Sequence, residues 1–380
     1  MRCAAVLLLA LAALLAGGAV RIVQDQCGPF TDVSPAFCPY VLEMYDLGIT
    51  AGTSATTFSP DNPMTRGQAA VFVSKGINQA LARSRRRAAL GQWWTTQNPT
   101  ILPPTPVGMG SYTCASDGSD VWVPAGDGTV TRVRASDGRV LETWTGATAA
   151  IAVAVGMGRV FITGQAPGDG KLYMLDASQP AGTVTTVADN LGTVQGVIFD
   201  GSRLWVADQN PNISIVTPGP SLPWATTTVG GFGGTSTLLF DGTNVWVTDY
   251  VQNALLRLDS NGSVLQTVAT GLNPGFSVFD GANIWVPGLD GTLTVIRAST
   301  GVVVATLSGN GLNGSVATAF DGERILVANS GPETVSLFRA ADLAPLGSFA
   351  TGTATVPTGV CSDGTGFWIT LRASGQLARF

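Results

Sequence analysis

One short pattern recurs from residue 117 to residue 369: Asp-Gly, two variable residues, an apolar residue, a large residue, then Val or Ile. Six copies keep the Asp-Gly pair and begin at Asp117, Asp200, Asp241, Asp280, Asp321 and Asp363. A degenerate copy, Gly156–Ile162, fills the gap between the first two. The first apolar residues of the seven copies stand at 121, 160, 204, 245, 284, 325 and 367, so the successive steps are 39, 44, 41, 39, 41 and 42.

A fixed period of about 40 positions, with short strands and turn residues, is typical of a β-propeller. In each repeat the first strand ends at Asp-Gly, the second is the Val-Trp-Val run, and a turn such as Asn261-Gly262 joins the third to the fourth. The sequence therefore predicts a mainly β fold, a seven-bladed β-propeller of four-stranded blades over residues 98–380. The last copy stops before its fourth strand, and we expect Pro99–Pro103 to supply that strand and close the ring.

The composition excludes several kinds of chemistry. The chain has no histidine, so Ser-His-Asp catalysis, Cys-His catalysis and His-ligated zinc are impossible. The net charge is −5, and the repeats lack the broad basic face that a nucleic-acid-binding protein needs. We predict no catalytic residue, cofactor, metal site or nucleic-acid partner. The basic run Arg83–Arg87 falls in a predicted linker, residues 82–97. We interpret it as solvated chain; the alternative is a segment that proteases cleave or that wall polymers contact.

The N-terminus has the features of an export signal. Arg2 precedes an apolar stretch, Ala4–Leu15, which is too short to span a membrane, and small residues follow up to Ala19. We predict a signal peptide over residues 1–19, no transmembrane segment after its removal, and a mature protein at the cell surface, in the wall or in the medium. Export permits disulfides. Four cysteines then remain, and we predict the pairs Cys27–Cys38 and Cys114–Cys361, the second across the ring closure.

Residues 27–81 differ from the rest of the chain. A helix is expected over Tyr40–Leu47, with Gly48 at its C-terminal end. A second helix begins after Thr65, which forms a capping box with Gln68. Four sequence pieces mark the segment: Phe30–Val33, Gly48–Gly52, Phe58–Asp61 and Thr65–Gln68.

Together these four pieces make residues 27–81 resemble the S-layer homology module. The resemblance implies non-covalent binding of a cell-wall polymer or peptidoglycan-linked glycan, with Arg66 and Asp32 as contacts and Gln68 beside them. Gly67 stands where the family usually has Ala. Arg66 offers a planar, permanently charged fork for an anionic sugar. The alternative is structural: Thr65 and Gln68 cap a helix, and Arg66 binds a loop carbonyl.

Over residues 98–380 the repeats resemble the YVTN/NHL-type propeller group, which includes virginiamycin-B-lyase-like proteins. The lyase-like members of that group use histidine. Because this chain has none, the resemblance implies the architecture and not that activity.

Two series of side chains recur along the propeller. We interpret the aromatic series as packing between blades; it comprises Trp122, Phe161, Trp205, Trp246, Trp285 and Trp368, with Leu326 in the sixth blade. The acidic series follows the second strands and comprises Asp127, Asp169, Asp208, Asp249 and Asp290, with Asn329 in the sixth blade. These carboxylates form either an electronegative rim that attracts cations or ordinary turn residues.

A few aromatic residues lie outside the repeat pattern. Phe232, Phe276 and Tyr112 in the connections between blades are either ligand contacts or buried at the central channel. Trp93 and Trp94 either fill an interface or form a stacking patch for glycan.

The sequence leaves three hypotheses about function. The first is an exported, envelope-associated binding or scaffold protein, whose propeller presents a face to glycan or to another surface protein. The second is an exported lyase or glycan-active hydrolase that uses carboxylate or Tyr chemistry without histidine. The third is a structural subunit of a surface layer. A convergent acid pair in the central channel favours the enzyme, whereas a dry, apolar channel favours binding.

Overall fold

The computed structural model describes residues 27, 29–34, 36–46, 50–73, 104–166 and 168–380. The chain divides into two compact units, Met1–Ser84 and Arg85–Phe380. The predicted signal peptide, Gly48, the basic run Arg83–Arg87, Trp93 and Trp94, and the predicted closing residues Pro99–Pro103 lie outside the described residues.

The first unit contains a helix, α1 (Cys38–Asp46), and a helical stretch over residues 66–73. Phe30 is 1 % exposed and packs with Val41 of α1 and Cys27. Its ring also meets Tyr45 at 5.3 Å and Phe58 at 5.8 Å between centroids. Gly52 has φ +80° and lies against the Phe30 ring, where any Cβ would clash. The first sequence piece of the module therefore supplies its central core residue.

The second unit is a ring of seven four-stranded antiparallel sheets. After β1 (Thr105–Pro106), the first three blades are β2 (Ala115–Ser116), β3 (Asp120–Pro124), β4 (Thr129–Arg134), β5 (Val140–Thr145); β6 (Ala150–Gly156), β7 (Arg159–Ala166), β8 (Asp169–Leu175), β9 (Thr185–Ala188); and β10 (Val194–Phe199), β11 (Leu204–Asp208), β12 (Asn212–Thr217), β13 (Ala225–Gly230). Within each blade, consecutive strands are hydrogen-bonded neighbours.

The remaining blades keep this order. They are β14 (Thr235–Phe240), β15 (Val245–Asp249), β16 (Ala254–Leu258), β17 (Val264–Ala269); β18 (Val278–Phe279), β19 (Asn283–Pro287), β20 (Leu293–Arg297), β21 (Val302–Leu307); β22 (Ser315–Phe320), β23 (Arg324–Asn329), β24 (Thr334–Arg339), β25 (Pro345–Ala350); and β26 (Pro357–Ser362), β27 (Phe367–Leu371), β28 (Gln376–Arg379). The predicted seven-bladed propeller is confirmed.

The ring is closed by a strand from the N-terminal side of the propeller, as predicted. β1 pairs antiparallel with β28, with Thr105 opposite Leu377, and completes the seventh blade. The strand lies just after the predicted Pro99–Pro103. Val107 explains this position, because it is 1 % exposed in the core and its N–H donates to Gly375 O at 2.9 Å. The buried Val107 side chain and its backbone bond thus fix the position of the closing strand β1.

The repeated Asp and Trp form one hydrogen-bonded unit. In five blades the Trp indole Nε1 donates to the Asp five residues earlier at 2.7–2.9 Å; the donors are Trp122, Trp205, Trp246, Trp285 and Trp368. The other carboxylate oxygen accepts backbone N–H groups of the turn, as Asp241 does from Thr243 and Asn244. All five indoles are at most 1 % exposed, which confirms the packing interpretation. The sequence pattern did not reveal the indole–carboxylate bond.

A disulfide joins Cys114 and Cys361 across the ring closure, as predicted. The two Cα atoms are 5.6 Å apart and 247 residues apart in sequence. Cys361 lies opposite Trp368 of its own blade, whereas in the first blade Ala115 holds the corresponding place opposite Trp122. The two first strands are therefore staggered by one residue where the sulfurs meet.

Replacement of Trp246 by Phe tests the indole–carboxylate bond. We expect Trp246→Phe to lower the free energy of unfolding by about 2–4 kcal/mol, because Asp241 loses a buried donor and the smaller ring leaves space. Trp224→Phe is the control, since that half-buried indole donates only to the exposed Gly219 carbonyl. Denaturant unfolding measures both, and equal losses for the two variants would contradict the prediction.

Removal of the disulfide tests the ring closure. In the chain-entropy model a loop of this length contributes roughly 4–5 kcal/mol to stability, so Cys114→Ala/Cys361→Ala should unfold at clearly lower denaturant concentration. Reduction of the wild-type protein should give the same shift, and reduction of the double variant none. An unchanged midpoint in the double variant would show that strand pairing of β1 alone holds the ring closed.

Candidate functional site

The first strands of all seven blades surround a central cavity of about 170 Å³. Its lining comprises Thr113, Cys114, Ala152, Val153, Gly196, Val197, Ile198, Leu238, Phe276, Ala317, Gly359 and Val360. Cys114 is in the disulfide, so no side chain of this lining is titratable. The convergent acid pair that an enzyme would need in the channel is not among these residues.

The cavity is narrow because the innermost strands approach one another closely. A Cβ on Gly196 would lie 3.0 Å from Ser236 O, and one on Gly359 would clash with Tyr112 O. Hydroxyl groups join neighbouring first strands: Thr237 Oγ1 donates to Gly275 O at 3.0 Å. The centre of the ring is therefore a packed and mostly apolar structure.

The ring has two faces of different construction. The Asp-Gly turns lie on one face, which we call the turn face. Because the strands are antiparallel, the loops between second and third strands share the opposite side with the connections between blades. We call this side the connector face; it includes residues 107–112, 125–128, 168–171, 188–193, 208–211, 249–253, 269–275, 287–292, 329–333, 351–356 and 372–375. All five aspartates of the acidic series lie on it.

Two members of the acidic series are buried. Asp208 is 4 % exposed and accepts from Thr193 N at 2.8 Å, and Asp249 is 0 % exposed and accepts from Gly233 N at 2.7 Å. Asn329, their counterpart, is also buried and bonds to Ser315 and Ser336. Of the two alternatives for the acidic series, the rim does not describe Asp208 and Asp249, because loop amides 15 and 16 residues upstream bond to their buried carboxylates.

The other three carboxylates are accessible but also anchor loops. Asp127 accepts from Met109 N at 3.1 Å, Asp290 from Leu272 N at 3.1 Å, and Asp169 from Asn190 N at 2.8 Å. Burial opposes ionisation of Asp290, yet bonds from Thr292 and Leu272 outweigh it and lower the pKa of this carboxyl. Turn and loop chemistry accounts for these bonds, and a rim of Asp127, Asp169 and Asp290 stays a prediction.

The aromatic residues of the connections are accounted for by packing. Phe232 is 6 % exposed in the core, and Phe276 lines the central cavity. Tyr112 is half-buried beneath Arg372, whose guanidinium carbon lies 4.1 Å from the ring centroid. The second of the two predicted alternatives, burial at the channel, describes Phe276.

In the N-terminal unit Asp32 connects two of the four sequence pieces. Its Oδ1 accepts from Phe58 N at 2.8 Å and its Oδ2 from Ser59 N at 2.7 Å. The bond from Phe58 is the main reason why the pKa of this carboxyl is lowered; desolvation opposes it, and the bond from Ser59 adds to the lowering. Asp32 therefore has a structural role, and both of its oxygens are engaged.

The predicted capping box is present. Gln68 N donates to Thr65 Oγ1 at 3.2 Å, and Gln68 Oε1 accepts from Thr65 N at 2.8 Å. Arg66 stands beside this box, is exposed, and makes no hydrogen bond or ion pair with any other described residue. Of the three predicted wall-binding residues, Arg66 alone has its side chain unengaged within the described chain.

Cys27 and Cys38 are free thiols in the structure. Cys27 Sγ donates to Cys38 O at 3.3 Å, and burial together with a contact to the Cys38 thiol raises the pKa of Cys27 to about 11. The predicted bridge between these neighbouring cysteines is not formed here and stays a prediction.

Among the described residues, no three His, Cys, Asp or Glu side chains are grouped as a metal site. None of the helices in those parts of the chain has the length and apolar character needed to cross a membrane.

The N-terminal unit matches a known domain family. Residues 29–70 match the family model of the S-layer homology domain. An endoglucanase of Bacillus sp. (strain KSM-635) is 41 % identical over 51 residues, and the aligned part is 13 % of this chain but 5 % of that protein. The chain thus carries an S-layer homology domain followed by a seven-bladed β-propeller, as the sequence pieces and repeats predicted.

Several solved structures share the propeller. A streptogramin B lyase structure has a TM-score of 0.59 at 14 % identity, covering 73 % of this chain and 96 % of that one. Virginiamycin B lyase from Staphylococcus aureus gives 0.59 at 15 %, covering 71 % and 94 %. Kuenenia stuttgartiensis hydrazine synthase gives 0.58 at 16 %, covering 75 % and 96 %. Identities this low show the fold alone.

The ionisation of Asp32 gives a pH-dependent prediction. Because the pKa of Asp32 is lowered on folding, its contribution to module stability is full above the unfolded pKa and is lost as pH falls through the folded pKa. The amide resonances of Phe58 and Ser59 should therefore titrate below the ordinary aspartate range. In Asp32→Asn this titration should vanish. A midpoint within or above the ordinary range would contradict the assigned bonds.

Proposed function

We propose that this protein is an exported binding or scaffold protein of the cell envelope. The S-layer homology domain indicates association with the cell surface. The observation that carries the rest of the proposal is the central cavity, which is about 170 Å³ in volume and lined by apolar, glycine, threonine and disulfide groups. Such a centre favours a propeller that acts through its faces, without chemistry in its channel.

We assign the wall contact to Arg66. Asp32 and Gln68 already use their side-chain oxygens inside the domain, whereas the Arg66 guanidinium is exposed and unengaged within the described residues. A planar cation in this setting suits a carboxylate or phosphate of a wall glycan, which it can bind through two parallel hydrogen bonds. Asp32 and Gln68 then act by holding the loop and the helix start from which Arg66 projects.

Co-sedimentation with purified cell-wall sacculi tests this assignment. The full-length protein should sediment with sacculi, and Arg66→Ala should weaken binding by about tenfold because one charge-assisted contact is lost. Arg66→Lys should restore part of the binding, since it keeps the charge and loses the fork.

Arg139→Ala is the matched control. Arg139 is an exposed arginine of the propeller, and its guanidinium makes no hydrogen bond or ion pair with any other described residue. Its loss changes the net charge equally and should leave sedimentation unchanged. Equal binding by Arg66→Ala and wild type would remove Arg66 as the contact, and failure of the wild type to sediment would refute wall anchoring.

A further inference from the structure

The charges of the propeller are divided unequally between its two faces. The connector face carries five accessible carboxylates, those of Asp127, Asp169, Asp189, Asp290 and Glu333. Within the described residues its basic groups are Lys171 and Arg372. The ion pairs in the described part of the propeller involve none of the five carboxylates, since the arginines pair with acids elsewhere in the ring. The connector face is therefore an acidic surface.

The five carboxylates are held in place by neutral donors. Glu333 Oε2 accepts from Ala354 N at 2.8 Å, and Asp189 Oδ1 from Asn190 Nδ2 at 3.0 Å. Asp127, Asp169 and Asp290 accept from loop amides in the same way. Neutral donors orient a carboxylate without cancelling its charge, so the charge of this face is both fixed in position and available to a partner.

Apolar side chains stand among these charges. Met109 is 57 % exposed, Val251 58 %, Leu272 57 % and Leu289 47 %. Leu289 N donates to Leu272 O at 2.8 Å, and Thr270 N donates to Asn253 O at 2.9 Å, which ties the loops of Val251, Leu272 and Leu289 together. Blades four and five thus present exposed apolar side chains on hydrogen-bonded neighbouring loops, and the Asp290 carboxylate accepts from the Leu272 amide.

The same element is built twice. Asp127 and Asp290 each open an Asp-Gly-Thr turn, and each carboxylate accepts the amide of an exposed apolar residue 18 positions upstream, Met109 or Leu272. These copies belong to blades one and five, far apart in a seven-membered ring. Each copy presents an apolar side chain next to a fixed negative charge.

We propose that the connector face binds a basic segment of a partner polypeptide that also carries apolar side chains. This inference rests on the proposed function and names the partner of its interaction face. A cationic segment is complementary to the charge of this face, and apolar groups on that segment can pack on the exposed Met109, Leu272 and Leu289. The residues that line the central cavity carry no charge, so we place the basic segment on the connector face and not inside the ring.

Fluorescence anisotropy with the full-length protein tests the proposal. The probes are a labelled leucine–lysine peptide, polylysine and a leucine–glutamate peptide. We expect salt-dependent binding of the leucine–lysine peptide, about tenfold weaker binding of polylysine, and no binding of the leucine–glutamate peptide. Equal binding of the first two probes, or no binding of the first, overturns the proposal.

Matched variants locate the surface. Asp290→Asn should weaken the leucine–lysine complex by about fivefold while keeping an acceptor for the Leu272 amide. Asp259→Asn removes the same charge on the turn face, from a carboxylate that likewise accepts neutral donors, and should have no effect. Equal effects of the two variants contradict the assignment to this face.

A second pair of measurements separates this inference from wall anchoring. Leu272→Ser should weaken leucine–lysine binding and leave polylysine binding unchanged, and a loss for both probes contradicts the apolar contact. Sedimentation with sacculi is measured on the same samples. If the wild-type protein binds the leucine–lysine peptide but does not sediment with sacculi, only wall anchoring is refuted. If it sediments with sacculi but does not bind the peptide, only the partner assignment is refuted.

Discussion

The hydrogen bond between a turn aspartate and the indole five residues later is the interaction on which the propeller depends. One carboxylate bends the first hairpin of a blade through backbone amides and fixes the Trp that fills the space next to the neighbouring blade. The two exceptions support this view. In blade six, where Leu326 replaces Trp, Arg324 Nε donates to Asp321 at 2.7 Å. In blade two the phenyl ring of Phe161 has no hydrogen-bond donor, and Gly156 replaces the aspartate.

Close packing at the centre moves any function to the faces of the ring. Glycines such as Gly359 let the inner strands approach, and threonine hydroxyls bond from strand to strand. The turn face then uses its carboxylates to hold indoles and arginines. On the connector face the accessible carboxylates accept neutral donors, and in the described part of the propeller none of them pairs with an arginine. The two faces differ in chemistry because different donors satisfy the same side-chain type.

The sequence predicted those features that depend on period or on local turn chemistry. The regular spacing of the repeat predicted seven blades, and Thr65 with Gln68 predicted the capping box. The Cys114–Cys361 bridge followed from the closure of the ring. The features that the sequence did not predict depend on contacts between distant loops. Asp208 and Asp127 both stand at or just after the end of a second strand, but only the structure shows that loop amides bury the first and leave the second accessible.

A signal for the accessible class does exist in the sequence. Asp127 and Asp290 are each followed by Gly and Thr, and an apolar residue precedes each by 18 positions. Asp208 and Asp249 lack the Gly-Thr pair, and the upstream amides that reach their carboxylates belong to Thr193 and Gly233. The threonine of this pair, Thr129 or Thr292, donates to Oδ1 at 2.6–2.7 Å, and Oδ2 accepts the upstream amide. In this propeller the Gly-Thr pair after Asp127 and Asp290 thus accompanies an accessible carboxylate, and its absence after Asp208 and Asp249 accompanies a buried one.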